Sequence, residues 1–203
     1  MGLNSNRSDE MKLSTLIALI VLFFATSSCA LLGLEEEDIT STANIGSISD
    51  LQGTWVIGCE APSEGAQYEK SSIQFSETGF VTESTYYQDS SCSSPLYTNT
   101  LTYTDLTVGE SWDNLGYKFT GSFQSYTKTP MNDTWTSYYN SSSGLGCGLT
   151  NWQTNVPQEI TGTSCTTIEK NNVVTNWYKL TGSSLVLAND GKTYTKQQPQ
   201  LLR

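Results

Sequence analysis

From position 51 onward, apolar and polar residues alternate in short runs separated by turn formers. Such a period of two marks half-buried strands. Thr54-Trp55-Val56-Ile57 is β-branched and aromatic, and Ser71–Phe75 puts Ile73 and Phe75 on one face. After a Glu77-Thr78-Gly79 turn, Phe80–Tyr87 carries Phe80, Thr82, Ser84 and Tyr86 on one side and Val81, Thr85 and Tyr87 on the other, which predicts an antiparallel hairpin. Leu96–Leu106 alternates again, with Tyr97, Leu101 and Tyr103 pointing one way, and Tyr117, Phe119, Gly121 and Phe123 form another stripe. The run Val173–Leu180, the Thr181-Gly182-Ser183-Ser184 turn, Leu185–Leu187, the Asn189-Asp190-Gly191 turn and Thr193–Thr195 read as a closing meander. Many short strands at regular spacing predict an all-β barrel or sandwich. Trp55 and Trp177 read as core.

Two segments break the alternation. Thr129-Pro130 reads as an N-cap followed by proline at the first helical position, with Met131, Trp135 and Tyr138 on one face, so a short helix is expected over 130–140. A strand over 134–139 is the alternative. The other segment is Leu16–Ala25, an unbroken apolar run preceded by Arg7 and Lys12 and followed by small residues and Cys29. It is short of the ~20 residues that cross a bilayer and reads as an export signal. Translation from Met11 would also give a compact signal. Residues 1–28 are thus read as signal peptide, 29–50 as a linker, 51–196 as the folded domain and 197–203 as a flexible tail. In the linker, Glu35-Glu36-Glu37-Asp38 is read as a solvated spacer in preference to a cation site, because adjacent like charges repel.

Composition narrows the chemistry. The chain has 203 residues, 10 Lys+Arg against 20 Asp+Glu, and no histidine. A surface of net charge −10 repels a phosphate backbone, so nucleic acid is excluded as a partner. Mechanisms that need imidazole are excluded as well. Five Trp, eleven Tyr and six Phe are too many large aromatics for a solvated coil. A glycosidase needs two carboxylates about 5–10 Å apart. Glu60, Glu64, Glu83, Asp89, Glu110, Asp113, Asp133, Glu159 and Glu169 are scattered, and nothing in their spacing selects a pair. No nucleophile elbow or phosphate-cradling loop is present, so no catalytic residue and no cofactor is assigned.

Five cysteines are an odd number for an exported chain. If Cys29 has a separate use, Cys59, Cys92, Cys147 and Cys165 remain for disulfides, with three pairings open. Cys59–Cys92 is favoured, because two chain reversals return the loop holding Cys92 to the end of the first strand. Cys147–Cys165 would then close the glycine-rich segment around Gly144, Gly146 and Gly148. A zinc site lacks both Cys-x-x-Cys spacing and histidine, so no metal is assigned.

Ala25-Thr26-Ser27-Ser28-Cys29 resembles the lipobox of bacterial lipoproteins, in which the cysteine is lipidated and becomes the first mature residue. The other reading is an ordinary signal cut near Ser28 or Ala30, leaving Cys29 a free thiol. The resemblance implies a palmitate-type acyl anchor on Cys29, attachment to the membrane and residence in the bacterial cell envelope. Ala30, rather than Asp, then favours the outer membrane. Leu51-Gln52-Gly53-Thr54-Trp55 resembles the Leu-x-Gly-x-Trp opening of lipocalin-like (calycin) barrels, in which the Trp closes one end. The hairpin Trp177-Tyr178-Lys179-Leu180-Thr181-Gly182-Ser183-Ser184-Leu185-Val186-Leu187 is similar to the one that completes small bacterial members. The resemblance implies an antiparallel meander β-barrel over 51–196, with one short helix and a disulfide-closed loop inserted near 125–165.

Three functional readings follow. A lipocalin-like envelope lipoprotein would hold a small apolar or amphipathic ligand in its barrel. A structural lipoprotein would have a filled barrel and meet another envelope protein through its loops. An enzyme would need an unrecognised carboxylate site. The inward stripes mix Tyr, Phe and Ile with Thr and Ser, which suits a narrow barrel with at most a small pocket. Trp135, Tyr138, Tyr139 and Trp152 bracket the cysteine-closed loop and are the candidates for ligand or partner contact. Packing beneath a loop-rich cap is the competing use of these rings.

Overall fold

A computed structural model describes residues 46–61, 67–112, 115–141, 145–189 and 191–198. Cys29, the signal segment 1–28 and the acidic run at 35–38 lie outside the described residues. The fold consists of α1 (Ile48–Leu51), β1 (Gly53–Glu60), β2 (Tyr68–Phe75), β3 (Gly79–Tyr87), β4 (Pro95–Trp112), β5 (Gly116–Pro130), α2 (Asp133–Asn140), β6 (Gln158–Glu159), β7 (Val173–Thr181), β8 (Ser184–Leu187) and β9 (Thr193–Lys196). The pairing runs β4-β3-β2-β1-β9-β8-β7-β5, and β4 pairs with β5. Eight antiparallel strands therefore close on themselves, as the alternating stripes and the lipocalin-like resemblance predict. The two-residue β6 pairs with β5 at Thr127 and Lys128, beyond the stretch of β5 that β7 covers.

Register follows the hydrophobic pattern. Ile73 faces Trp55 on one side and Thr82 on the other, and Phe75 faces Phe80, so one stripe of each strand points inward. On β4 the stripe would run out of phase after Tyr103. Two β4 residues oppose one on β5 between the Thr104–Ser122 and Thr107–Thr120 pairs, and Asp105 there has φ +54°. This bulge resets the alternation, so both Tyr103 and Leu106 reach the core. Gly121 on β5 accommodates Phe80: a Cβ at Gly121 would sit 2.5 Å from the ring edge. Phe80 stacks on Tyr103 at 4.4 Å between centroids and meets Phe119 edge-on at 5.6 Å.

The entry end of the barrel is closed by α1 and Trp55. Trp55 is 1% exposed, its Nε1–H donates to the Leu51 carbonyl at 2.6 Å, and the Lys196 ammonium lies 5.0 Å from its ring. Ser47 caps α1 by accepting from the Ser49 N–H. Leu51 and Tyr178 are fully buried beside Trp55. Packed structure thus reaches back into the stretch read as linker. Trp177, read as core, lies on the outer face because Tyr178 takes the inward position; it meets the exposed Trp112 edge-on.

At the other end, α2 and the loop 145–165 build a second core around Tyr139, Cys147, Trp152 and Ile160. The helix begins later than expected. Thr129 and Pro130 end β5, and Asn132 is the N-cap, its Oδ1 accepting from the Trp135 N–H at 3.0 Å while its Nδ2 donates to the Pro95 carbonyl. Asn140 holds the loop to the helix through two backbone bonds to Trp152, each 2.9 Å. Both expected disulfides, Cys59–Cys92 and Cys147–Cys165, are present. The first joins the end of β1 to the loop 88–94. In that loop the Asp89 carboxylate accepts from the Ser91 and Ser93 hydroxyls and from the Ser93 and Ser94 N–H groups, and these bonds, with the Ser91 hydroxyl foremost, hold it far below the usual carboxylate range.

Candidate functional site

Inside the barrel is a half-open cavity of about 310 Å³. Its floor is apolar and aromatic, formed by Ile73, Phe75, Phe80, Tyr103 and Phe119. Toward the mouth the lining turns polar, with Ser71, Thr82 and Ser84 on one wall and Thr175, Asn176, Asn189 and Lys192 on the other. The cavity exists because inward positions of β2 and β3 that a filled barrel would give to large side chains carry serine and threonine instead. The interior is therefore not solid.

Glu69 organises the polar wall. Two residues before Ser71, it shares the inward face of β2, and its side chain is only 15% exposed. Its Oε1 accepts from the Ser71 and Ser84 hydroxyls and lies 3.5 Å from the Lys192 ammonium. Burial alone would raise the Glu69 carboxyl. The two hydroxyls and Lys192 outweigh burial and hold the group below its ordinary value of 4.5. An acid with a lowered folded-state pKa contributes stability above its unfolded value, and that contribution is lost as pH falls through the lower, folded value. Glu69→Gln is therefore expected to reduce the urea midpoint at neutral pH, with the deficit closing below pH 4.5. Urea titrations of parent and variant across that range check this; a deficit that persists undiminished in acid contradicts it.

The four aromatic candidates are brought together in the cap. Trp135 lies 5.3 Å from Tyr138 and 5.5 Å from Tyr139, and Tyr139 lies 4.9 Å from Trp152. Tyr139 and Trp152 are 2% and 3% exposed, so they are core residues of the cap, and Tyr138 is the most open of the set. Tyr97, on the inward stripe of β4, stacks on Tyr86 at 4.7 Å and meets Trp135 at the same distance, which docks the cap on the barrel. The Lys128 ammonium lies 5.2 Å from the Tyr97 ring and 5.4 Å from that of Tyr139. Burial lowers the Lys128 pKa. Burial, aided by Tyr86, Tyr126 and Glu69, pushes the Tyr97 phenol up to about 12. The Tyr97 phenol is therefore neutral at neutral pH, and its hydroxyl donates to the Gln67 Oε1 at 3.2 Å.

Of the carboxylates singled out from the sequence, Glu64 and Asp113 lie outside the described residues, and none of the others lines the cavity. The organising acid, Glu69, is absent from that group. Its signal was its parity with Ser71, Ile73 and Phe75. Among the described residues no three His, Cys, Asp or Glu side chains gather as a metal site. Among the described residues the cavity thus combines an apolar floor with a polar rim. No protein-family model matches the chain, and none of the curated proteins compared with it matches either.

Proposed function

We propose that the protein is a lipid-anchored envelope lipoprotein whose lipocalin-like barrel holds a small amphipathic molecule. The observation that carries the reading is the cavity above Phe75, Phe80 and Phe119 with its hydroxyl and amide rim. Its volume of about 310 Å³ falls at the lower end of the range of ligand sites, which suits a compact ligand better than a long chain. The polar rim calls for a ligand with a polar head, since a wholly apolar one would leave those groups unpaired. Two disulfides support export, because such bonds persist in oxidising compartments. The anchor at Cys29 rests on the lipobox resemblance. In that reading Cys29→Ser moves the protein from the membrane fraction to the soluble periplasmic fraction.

The experiment uses the full chain carrying Cys29→Ser, exported and free of acyl groups, and the neutral fluorophore N-phenyl-1-naphthylamine. Saturable fluorescence enhancement is expected, and Thr82→Trp, which fills the cavity from β3, is expected to weaken it by roughly tenfold or more. Near-UV circular dichroism checks that the variant is folded. No saturable binding, or equal binding by a folded Thr82→Trp, overturns the reading and favours a barrel that serves as a scaffold for its loops.

A further inference from the structure

We infer that the ligand of this cavity is a small organic carboxylate, its anionic head against Lys192 and its apolar body over the aromatic floor. This rests on the cavity being a binding site, as proposed above, and names the chemistry it selects.

The charge of the lining argues first. The chain carries twice as many acidic as basic residues, yet among the described residues the one charged side chain lining the cavity is Lys192. Glu69 is not part of the cavity surface; it engages Ser71, Ser84 and Lys192 from beside it. An ammonium has three donors, so it can hold Glu69 and a ligand carboxylate together. Glu69 thereby acts as a positioning residue, fixing the Lys192 head at the rim.

The polarity of the facing amides argues in the same direction. The Asn176 Oδ1 accepts from the Trp177 N–H at 2.8 Å and from the Asn189 N–H at 3.1 Å. Those two bonds fix the amide orientation and leave its Nδ2 as the group to present to a ligand. The Asn189 Nδ2 donates to the Thr175 carbonyl, which anchors the loop between β8 and β9 to β7 and sets the Lys192 side of the mouth. Thr82 and Ser84 add hydroxyls that turn to suit their partner. Lys192 and Asn176 thus offer donors, while the oxygens of Glu69 and Asn176 nearest them are engaged within the protein. A rim of this kind recognises an anion. Below it, Phe75, Phe80 and Phe119 provide the surface for a short aliphatic or aromatic body.

The test compares three ligands with the same chain and different heads: octanoate, 1-octanol and octylamine. Each displaces N-phenyl-1-naphthylamine from the Cys29→Ser full chain. Octanoate is expected to bind at least roughly tenfold more tightly than 1-octanol, because a charge-assisted bond replaces a neutral one, and octylamine is expected to be the weakest. In Lys192→Met the preference for octanoate over octanol should disappear, and in Lys192→Arg it should remain. Equal affinities for the three ligands, tightest binding of the amine, or an unchanged preference in a folded Lys192→Met overturn the inference while leaving the cavity a binding site. Failure of the fluorophore itself to bind wild type is the separate result that removes the cavity reading.

Discussion

Replacing all four disulfide cysteines, Cys59, Cys92, Cys147 and Cys165, by serine is expected to leave the chain largely unfolded at 37 °C. The bridges span 33 and 18 residues. By loop-closure entropy they contribute about 4 and about 3 kcal/mol, together about 7. Domains of this size are stable by about 5–15 kcal/mol in all. The two bridges differ in what they protect. Cys147–Cys165 closes a segment whose only strand is the two-residue β6, so the second core around Trp152 and Ile160 depends on it. Its loss should expose the cap to proteolysis while the barrel stays closed. Cys59–Cys92 ties the end of β1 to the loop after β3, and its loss should lower the midpoint of the whole barrel. Urea unfolding of the two paired-serine variants and of the fourfold variant measures each step. A fourfold variant with the parent's midpoint contradicts the argument.

Trp55→Ala is expected to cost about 3–5 kcal/mol, the range for removing a buried large aromatic side chain. The ring is 1% exposed in the main core with Leu51, Ile73 and Leu187. Trp55→Phe separates packing from hydrogen bonding. It keeps much of the ring but deprives the buried Leu51 carbonyl of its donor, a loss of about 1–3 kcal/mol. Equilibrium urea curves give both values. A loss below about 1 kcal/mol for the alanine variant would show that Trp55 does not close the barrel end.

The strands were legible because a half-buried strand writes its faces into the sequence with a period of two. Ile73 and Phe75, Phe80 and Thr82, Phe119 and Phe123 all point as their spacing says. Closure was not written in the same way. It rests on only two residue pairs between β1 and β9, Trp55–Lys196 and Val56–Thr195, and a local pattern carries no signal for such a distant contact. The Asp105 bulge was hidden because a left-handed aspartate has no strong sequence mark. Thr129-Pro130 has the form of a helix start, but β5 continues through it to pair with β4 at Tyr97 and Thr98, and tertiary pairing overrides the local preference. The cavity was partly legible in the serines and threonines among inward aromatics. Lys192 could not be placed at its mouth, since it follows a turn whose direction depends on Asn176 and Asn189.

The most direct test of the central claim is an amide NMR titration of the Cys29→Ser full chain with N-phenyl-1-naphthylamine. A barrel that holds a small amphipathic molecule predicts saturable shifts concentrated at Ser71, Ile73, Thr82, Phe119 and Asn176, with the outer-face residues Trp112 and Lys118 unmoved. Shifts confined to the outer face or the cap, or no saturable shifts at all, would contradict it.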